Sequence, residues 1–516
     1  MSTLERRKGP RPGQLETQPP LAVFAKQYNA GHPQVVWTRL VADLETPVSA
    51  YLKVAAHQPM SFLLESVEGG ATRGRYSIIG LEPDLVWRAN GNEAAVNRNP
   101  IKKPDAFRPE PDGALTSLRS LLAESEVALP PELPPMSAGI FGYMGYDTVR
   151  LIETLPNTPP DALNIPDSML IRPTLMLIFD VVKDEITVVT PVRPDAQSSA
   201  DQTYKKARKR LKSVIAALDE PLPHMPPISS RKLAEPEPTS NTTPTEYKAM
   251  VRRAKDYIVA GDVFQVVLSQ RFSAPFRLPS FALYRALRRT NPSPFMFHLD
   301  FADFALVGSS PEILVRVRDD EVTIRPIAGT APRGATESED QALAAALLKD
   351  PKERAEHLML LDLGRNDIGR VAKIGTVAVT SRFFIERYSH VMHIVSNVIG
   401  RLSKKHDAVD ALMAGFPAGT VSGAPKVRAM QIIDQLEKSK RGPYAGCVGY
   451  FSASGQMDSC IVLRTALVKD DVMYVQAGAG LVHDSVPAKE QQECINKSAA
   501  LFRAAEEAVR FATRSK

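Results

Sequence analysis

Three apolar runs in this chain turn back on themselves at short polar turns, and this constrains the architecture more than any other feature. Residues 175–191 (LMLIFDVVKDEITVVTP) read as two β-branched strands around Lys183-Asp184. Residues 312–329 (EILVRVRDDEVTIRPIAG) repeat the pattern around Asp319-Asp320, and 460–480 (CIVLRTALVKDDVMYVQAGAG) repeat it around Asp470-Asp471. Such runs predict β-hairpins. Helices are equally legible. Asp350-Pro351-Lys352-Glu353 supplies an N-cap, a proline at the first helical position and a capping-box Glu, predicting a helix to about Leu363. Another starts near Pro487 and runs towards Phe511. Strands that come as hairpins, not in strict alternation with helices, predict an α+β fold with antiparallel sheets.

The clearest composition break is 221–244 (PLPHMPPISSRKLAEPEPTSNTTP), with seven prolines and no apolar periodicity. It reads as a linker between an N-terminal region, 35–220, and a C-terminal region, 245–516. Residues 1–34 begin polar and proline-rich, without the apolar core of a signal peptide, and read as a flexible tail. Apolar residues at 44% and charged residues at 24% exclude a wholly disordered chain and a coiled coil. No run approaches the roughly 18 apolar residues of a membrane span. Three cysteines without a CxxC argue against a disulfide framework and for a reducing, cytoplasmic setting. The net charge of +6 suits an anionic substrate without calling for nucleic acid. The basic run KKARKRLKS (205–213) lacks the interleaved aromatics of an RNA-binding surface and reads as a solvated helix face.

Several groups are candidates for chemistry. Glu353 and Glu356 are three apart on one predicted helix, and Glu490 and Glu493 three apart on another. Two such pairs could supply oxygen ligands to Mg²⁺, which takes a few carboxylates plus water and substrate. From spacing alone they read more readily as solvated faces, with Glu493 paired to Lys497. Arg464 sits in an apolar strand, CIVLRTALV, and must either be ion-paired or face a cleft. PIAGTAPRG and QAGAGLV place small residues at hairpin ends, where backbone N–H groups can approach an anion. His393 lies in an alternating strand, and catalysis there needs a partner such as Glu312 to be brought near.

Read together, GDVFQVVLSQRF, NPSPFMF, SSPE, PIAGTAPRG, ERAEHLMLLDLGRND, RYSHVMH, FPAGTVSGAPKVRAM, GPYAG and QAGAG followed by EQQE resemble the chorismate-utilising enzymes, most closely their anthranilate-forming members. The resemblance runs from about Val35 to the C-terminus, in the family's order. It implies two packed antiparallel β-sheets flanked by helices, with the N-terminal region adding strands to the same body. It also implies Mg²⁺ on Glu356 and Glu493, with Glu353 and Glu490 behind them. Chorismate would be held by Gly329, Thr330, Tyr444, Arg464 and the Gly478-Ala479-Gly480 backbone. Glu312 would be the general acid for the departing hydroxyl, His393 would serve completion of the reaction, and Thr420 would lie beside them.

The implied reaction adds ammonia at C2 of chorismate with loss of the C4 hydroxyl, giving aminodeoxyisochorismate, and then eliminates pyruvate to leave anthranilate. Family members that make aminodeoxychorismate typically have a nucleophilic lysine where this chain has Ala328. Those that make isochorismate or salicylate have a water-activating lysine where it has Gln265. Both departures point to ammonia and anthranilate. Cys447, Cys460 and Cys494 do not sit in a glutaminase elbow, so a separate glutamine amidotransferase subunit is expected to supply ammonia. LLES (63–66) resembles the family's tryptophan-sensing segment. With Pro294, Phe295, Met296, Val448, Gly449 and Tyr450 it would form an inhibitor pocket, Glu65 meeting the ammonium of L-tryptophan and Ser66 its polar end. Phe295 stands where the family often has Tyr.

Overall fold

The computed structural model describes residues 15–68, 72–223, 236–388 and 391–514. The first part of the expected tail, 1–14, half of the proline-rich crossing, 224–235, and Ser389-His390 of the RYSHVMH motif lie outside the described residues.

In chain order, the N-terminal region contains α1 (Leu21–Asn29), β1 (Gln34–Val41), β2 (Ser61–Glu68), β3 (Thr72–Asn90), β4 (Gly139–Met144), β5 (Ser168–Asp180), β6 (Glu185–Val192) and α2 (Ala200–Asp219). The C-terminal region begins with α3 (Pro244–Val259), β7 (Gln265–Pro275), α4 (Ser280–Thr290), β8 (Phe295–Asp300) and β9 (Phe304–Ser310). Then come β10 (Ile313–Arg318), β11 (Glu321–Ile324), β12 (Ile327–Pro332), α5 (Glu337–Lys349), α6 (Pro351–Gly369), β13 (Ala378–Arg387) and β14 (Val391–Arg401). The last group is β15 (Cys447–Ser452), β16 (Met457–Ile461), β17 (Thr465–Lys469), β18 (Val472–Leu481) and α7 (Pro487–Arg514).

Every pairing among these strands is antiparallel. One run of neighbours is β1–β6–β5–β3–β2–β8–β9–β17–β18–β7. A second leaves β5 through β4 to β15–β16–β10–β11–β14, and β14 also pairs with β12 and β13. The long β5 serves both runs, pairing with β4 near Ser168 and with β6 near Asp180. The two sheets are therefore continuous through one strand. They face each other across an apolar core in which Phe62 of β2 stacks on Phe141 of β4, and Phe141 on Tyr450 of β15. Helices α1 to α4 and α7 contribute to the core on the outer side. The expected α+β architecture of two packed antiparallel sheets flanked by helices is the observed one.

The hairpin turns form for a local reason. Asp319, Asp320, Asp470 and Asp471 all have positive φ, the geometry of a tight two-residue turn whose twist matches its strands. Lys183-Asp184 lies in a longer turn in which the Asp180 carboxylate accepts the Val182 N–H. Helix α6 starts where expected but continues to Gly369. Asp350 caps the N–H groups of Lys352 and Glu353 at 2.8 and 3.1 Å. The reciprocal half of a capping box does not form, because the Asp350 N–H is already taken by carbonyls at the end of α5.

Two boundary expectations differ. Residues 15–34, read as tail, include α1, whose Phe24 and Tyr28 are one turn apart and buried against α2. Residues 236–244, read as linker, already belong to the body: Thr239 and Ser240 pair with β7, and Thr243 caps α3 in a capping box with Glu246. No helix among the described residues is long and apolar enough to cross a membrane.

Candidate active site

The two predicted carboxylate pairs converge. Glu353 and Glu356 project from the first two turns of α6, Glu490 and Glu493 from the start of α7. Burial raises the Glu353 pKa, with Glu356, Asp350 and Glu493 adding to the rise. Burial likewise raises Glu490, and Glu493 adds to it. Acids from both helices therefore feel one another. Glu356 accepts a hydrogen bond from Gln265 Nε2 at 3.2 Å. Glu493 pairs with Lys497 at 2.7 Å, the contact expected of a solvated face, but Lys497 also donates to the Gly478 carbonyl at 3.0 Å. Among the described residues no group of three or more His, Cys, Asp or Glu side chains is gathered as a closed metal site. One or two carboxylates facing an open cleft is the set Mg²⁺ takes when water and substrate supply its other oxygens. The donors present fit that ion.

The strands carrying the small residues lie against these helices. Gly329, at φ +67°, interrupts the β12–β14 register between Ala328 and Thr330. A Cβ there would sit 3.1 Å from Glu353 Oε2, so the site needs glycine both for the backbone and for the carboxylate. The Gly329 carbonyl accepts from His393 Nδ1 at 2.9 Å, and Thr330 Oγ1 lies 3.1 Å from the same nitrogen. A carbonyl only accepts, so the proton is assigned to Nδ1 and Nε2 is left as a base. Burial lowers the His393 pKa, Arg464 lowers it further, and the Gly329 bond opposes both. The imidazole is thus neutral at neutral pH.

Glu312 precedes β10. Its carboxyl is buried, and burial pushes its pKa up to about 8, against the pull of the Ile327 N–H and the nearby Thr420 hydroxyl. It is therefore mostly protonated at neutral pH and can act as an acid. Thr420 sits in the short 3₁₀ turn Gly419–Val421, close enough to favour the carboxylate, yet its hydroxyl makes no hydrogen bond of normal geometry. Ile327 opens β12, two residues before Gly329, so the fold brings Glu312 to the strand whose Gly329 and Thr330 hydrogen-bond His393 on β14.

Arg464 departs from its expected setting. It lies in a bend between β16 and β17, with φ +48°, not inside one strand. The chain changes partners there, from β10 and β15 to β9 and β18. Burial lowers its pKa, and among the described residues the Tyr388 phenol offsets this. No carboxylate pairs with it among the described residues, which removes the structural ion pair as its explanation. The glycine segments differ too. Residues 327–332 and 476–481 lie within β12 and β18, not in loops at strand ends. Pairing of β18 with β17 stops at Val475, while pairing with β7 continues to Leu481, so Gly478, Ala479 and Gly480 carry a strand on one side only. Tyr444 is buried, and its hydroxyl would lie 2.8 Å from a Cβ on Gly478. Gln265 Nε2 closes over Gly480 in the same way, and Gln265 Oε1 is buried without a partner.

A cavity of about 670 Å³ is lined by Leu64, Glu65, Ser66, Pro294, Phe295, Met296, Val448, Gly449 and Tyr450, whereas Leu63 of the same segment is buried in the core and does not line it. Glu65 is not free there. Its carboxylate takes Arg288 Nε at 2.6 Å and Nη2 at 3.0 Å, together with the Tyr284 hydroxyl, so its charge is already matched by α4. The same cavity reaches Arg325, Glu386 and Tyr388.

Sequence reasoning missed two groups. Tyr388 lies between that cavity and His393, and its signal was an aromatic closing an otherwise charged strand end. Arg441 and Glu437 form a buried pair at 2.6 Å, with Arg441 also donating to the Val421 and Val267 carbonyls and lying 5.4 Å from the Tyr444 ring. Its signal was an opposite-charge pair four apart.

Residues 61–503 match the family model for chorismate binding enzymes. The chain is 56% identical to anthranilate synthase component 1 of Cereibacter sphaeroides over 95% of its own length and 98% of that protein. It is 48% identical to the component 1 protein of Pseudomonas putida, over 90% and 93%. Among solved structures, anthranilate synthase component I from Streptococcus pneumoniae superposes with a TM-score of 0.73 at 37% identity, over 90% of this chain and 99% of that one. The isochorismate synthase MenF from Escherichia coli, at 22% identity and a TM-score of 0.69 over 94% and 98%, shares the fold. The chain thus shares its fold with these proteins over nearly its whole length, and it belongs to the chorismate-binding enzyme family, among its anthranilate synthase component 1 members.

Proposed function

We propose that this chain converts chorismate and ammonia to anthranilate and pyruvate through aminodeoxyisochorismate, with Mg²⁺ as cofactor and tryptophan as feedback inhibitor. The observation that carries this reading is the gathering of three groups around Tyr388: the His393 ring packs on it, and Glu312, whose pKa burial raises to about 8, and Arg464 both lie close enough to act on its phenol. Arg464 and the open edge at Gly478-Ala479-Gly480 would hold one substrate carboxylate by charge-assisted bonds. Glu356 and Glu493 would hold Mg²⁺, with Glu353 and Glu490 beside them; when bound, the ion supplies Lewis-acid polarisation at the other carboxylate. Glu312 would give its proton to the C4 hydroxyl as that group leaves and ammonia bonds to C2. His393, with its proton on Nδ1, would take the C2 proton on Nε2 as pyruvate departs and the ring becomes aromatic. Ala328 and Gln265 supply neither a lysine nucleophile nor a base for water, which supports ammonia as the nucleophile. A separate glutaminase subunit is the expected ammonia source, in keeping with the component 1 relatives. The Leu64–Met296 cavity is the expected tryptophan site.

The test is direct: purified chain, chorismate, Mg²⁺ and an ammonium salt at mildly alkaline pH, followed by anthranilate fluorescence. The expected result is anthranilate that disappears with EDTA and falls with tryptophan. Isochorismate or aminodeoxychorismate as product, or no turnover by folded protein, would overturn the assignment.

A further inference from the structure

We propose that Tyr388 is a positioning residue for His393, and that through it the Leu64–Met296 cavity acts on the catalytic imidazole; this rests on the function proposed above. Tyr388 is buried, and its ring meets the His393 ring edge-on, with centroids 5.4 Å apart and planes at 62°. Among the described residues, the hydrogen bonds to the His393 ring are on its Nδ1 side, with Gly329 and Thr330. The Tyr388 ring is therefore a second restraint on its orientation, and it is made by packing rather than by a hydrogen bond.

Tyr388 is itself held at three points. Its N–H donates to the Val391 carbonyl at 2.8 Å, and its carbonyl accepts from Arg333 at 2.7 Å. Its hydroxyl donates to Glu386 Oε2 at 2.8 Å, and the other oxygen of Glu386 accepts from Arg325 at 2.9 Å. Glu386 is directly opposite His393 in the β13–β14 ladder, so the two side chains share a face. Arg325, Glu386 and Tyr388 also line the cavity with Leu64, Met296 and Tyr450. The Tyr388 phenol thus has the cavity on one side and His393 and Arg464 on the other. An occupant that moves Tyr388, or draws Arg325 or Glu386 towards itself, shifts the imidazole without entering the substrate cleft. Such coupling needs the occupant to bind one arrangement of this wall better than the other.

The experiment uses the full chain and three variants, Y388L, Y388F and E386Q, each checked for a native melting transition. Chorismate consumption, anthranilate and released aminodeoxyisochorismate are measured together, with and without tryptophan. Y388L removes the edge contact, so a larger share of the consumed chorismate is expected to leave as aminodeoxyisochorismate. A general structural loss would lower both products in the wild-type ratio. Y388F keeps the ring but loses the Glu386 link, and E386Q weakens that link from the other side. Both should raise the tryptophan concentration for half-inhibition roughly fivefold or more, while Y388F keeps the wild-type product ratio. If Y388L releases the two products in the wild-type ratio, the positioning role is overturned. If Y388F and E386Q are inhibited at wild-type tryptophan concentrations, the coupling is overturned. A wild-type enzyme that makes anthranilate but ignores tryptophan would instead overturn the inhibitor reading of the cavity, and the product ratio of Y388L would still decide the positioning role.

Discussion

Glu312 and Arg464 carry opposite consequences of burial. Glu312 is held protonated up to about 8 against an ordinary value of 4.5. In the unfolded chain it ionises above the ordinary value, so between the two pH values folding must return a proton to it. The fold is therefore progressively disfavoured as pH rises from about 4.5 to about 8, and the effect is constant above that. At about 1.4 kcal/mol per pH unit this amounts to a few kcal/mol at neutral pH. E312Q, which cannot ionise, is expected to melt higher than the wild type at pH 8 and nearly level with it at pH 4.5. The same variant should lose turnover by roughly 100- to 10,000-fold, the usual range for a general acid, with little change in KM. In the wild type, kcat should fall as pH rises through about 8. Equal melting points at both pH values would contradict a buried, protonated Glu312. Among the described residues Arg464 pairs with no carboxylate, so R464M should raise the KM for chorismate roughly 10- to 100-fold, the loss of one or two charge-assisted hydrogen bonds. Steady-state kinetics at saturating ammonium reads this directly, and an unchanged KM would remove Arg464 from substrate binding.

At the scale of elements, what was legible in the sequence was local, and what was not depended on which elements meet. Asp319-Asp320 and Asp470-Asp471 announced their turns because two adjacent residues with positive φ suit short polar side chains. Asp350-Pro351 announced the start of α6 because a cap acts within one turn. The spacing of Glu353 from Glu356 gave a pair on one face, but that α6 would face α7 is a long-range fact that no spacing encodes. Arg464 was misplaced because its left-handed bend follows from a change of strand partners, not from its neighbours in sequence. The glycine segments looked like loops because small residues lack strand character, yet in β12 and β18 they thin the strand where a carboxylate, a tyrosine or a glutamine lies against it. Tyr388 was missed because its contacts, with the cavity lining on one side and the His393 ring on the other, are made only by the fold. The capping geometry yields a prediction of its own. D350A should cost about 1 kcal/mol of stability, and by loosening the first turn it should displace Glu353 and Glu356. The Mg²⁺ concentration for half-maximal rate should then rise, and D350N, which can still cap, should restore it. A stability loss without any change in the Mg²⁺ requirement would mean that the first turn does not position those acids.

For the whole molecule, the division at the proline-rich crossing is a division of sequence rather than of structure. All of β8 pairs with β2, from Phe295 opposite Ser66 to Asp300 opposite Ser61. All of β15 pairs with β4. Both sheets therefore cross from one region to the other, and the cavity beside them takes Leu64 and Ser66 from the first region and Met296 and Val448 from the second. Without residues 35–220, the apolar faces carrying Phe297, Leu299, Val448 and Tyr450 would lose the partners they are buried against. Each such side chain is worth about 1.5–3 kcal/mol when buried, so four of them rival the roughly 5–15 kcal/mol by which a whole domain is stable. The freed edges of β8 and β15 would also be open templates for pairing with other chains. The fragment 245–516 is therefore expected to aggregate, or to bind a hydrophobic dye without a cooperative melting transition, even though it contains nearly every residue of the proposed active site. The full chain should unfold in one transition, and a cavity ligand should move that transition as a whole, since its binding energy is shared by both regions. A soluble 245–516 fragment that melted sharply and bound chorismate would show that the catalytic region stands alone, and the shared β-strands would then be an interface between two domains rather than the core of one.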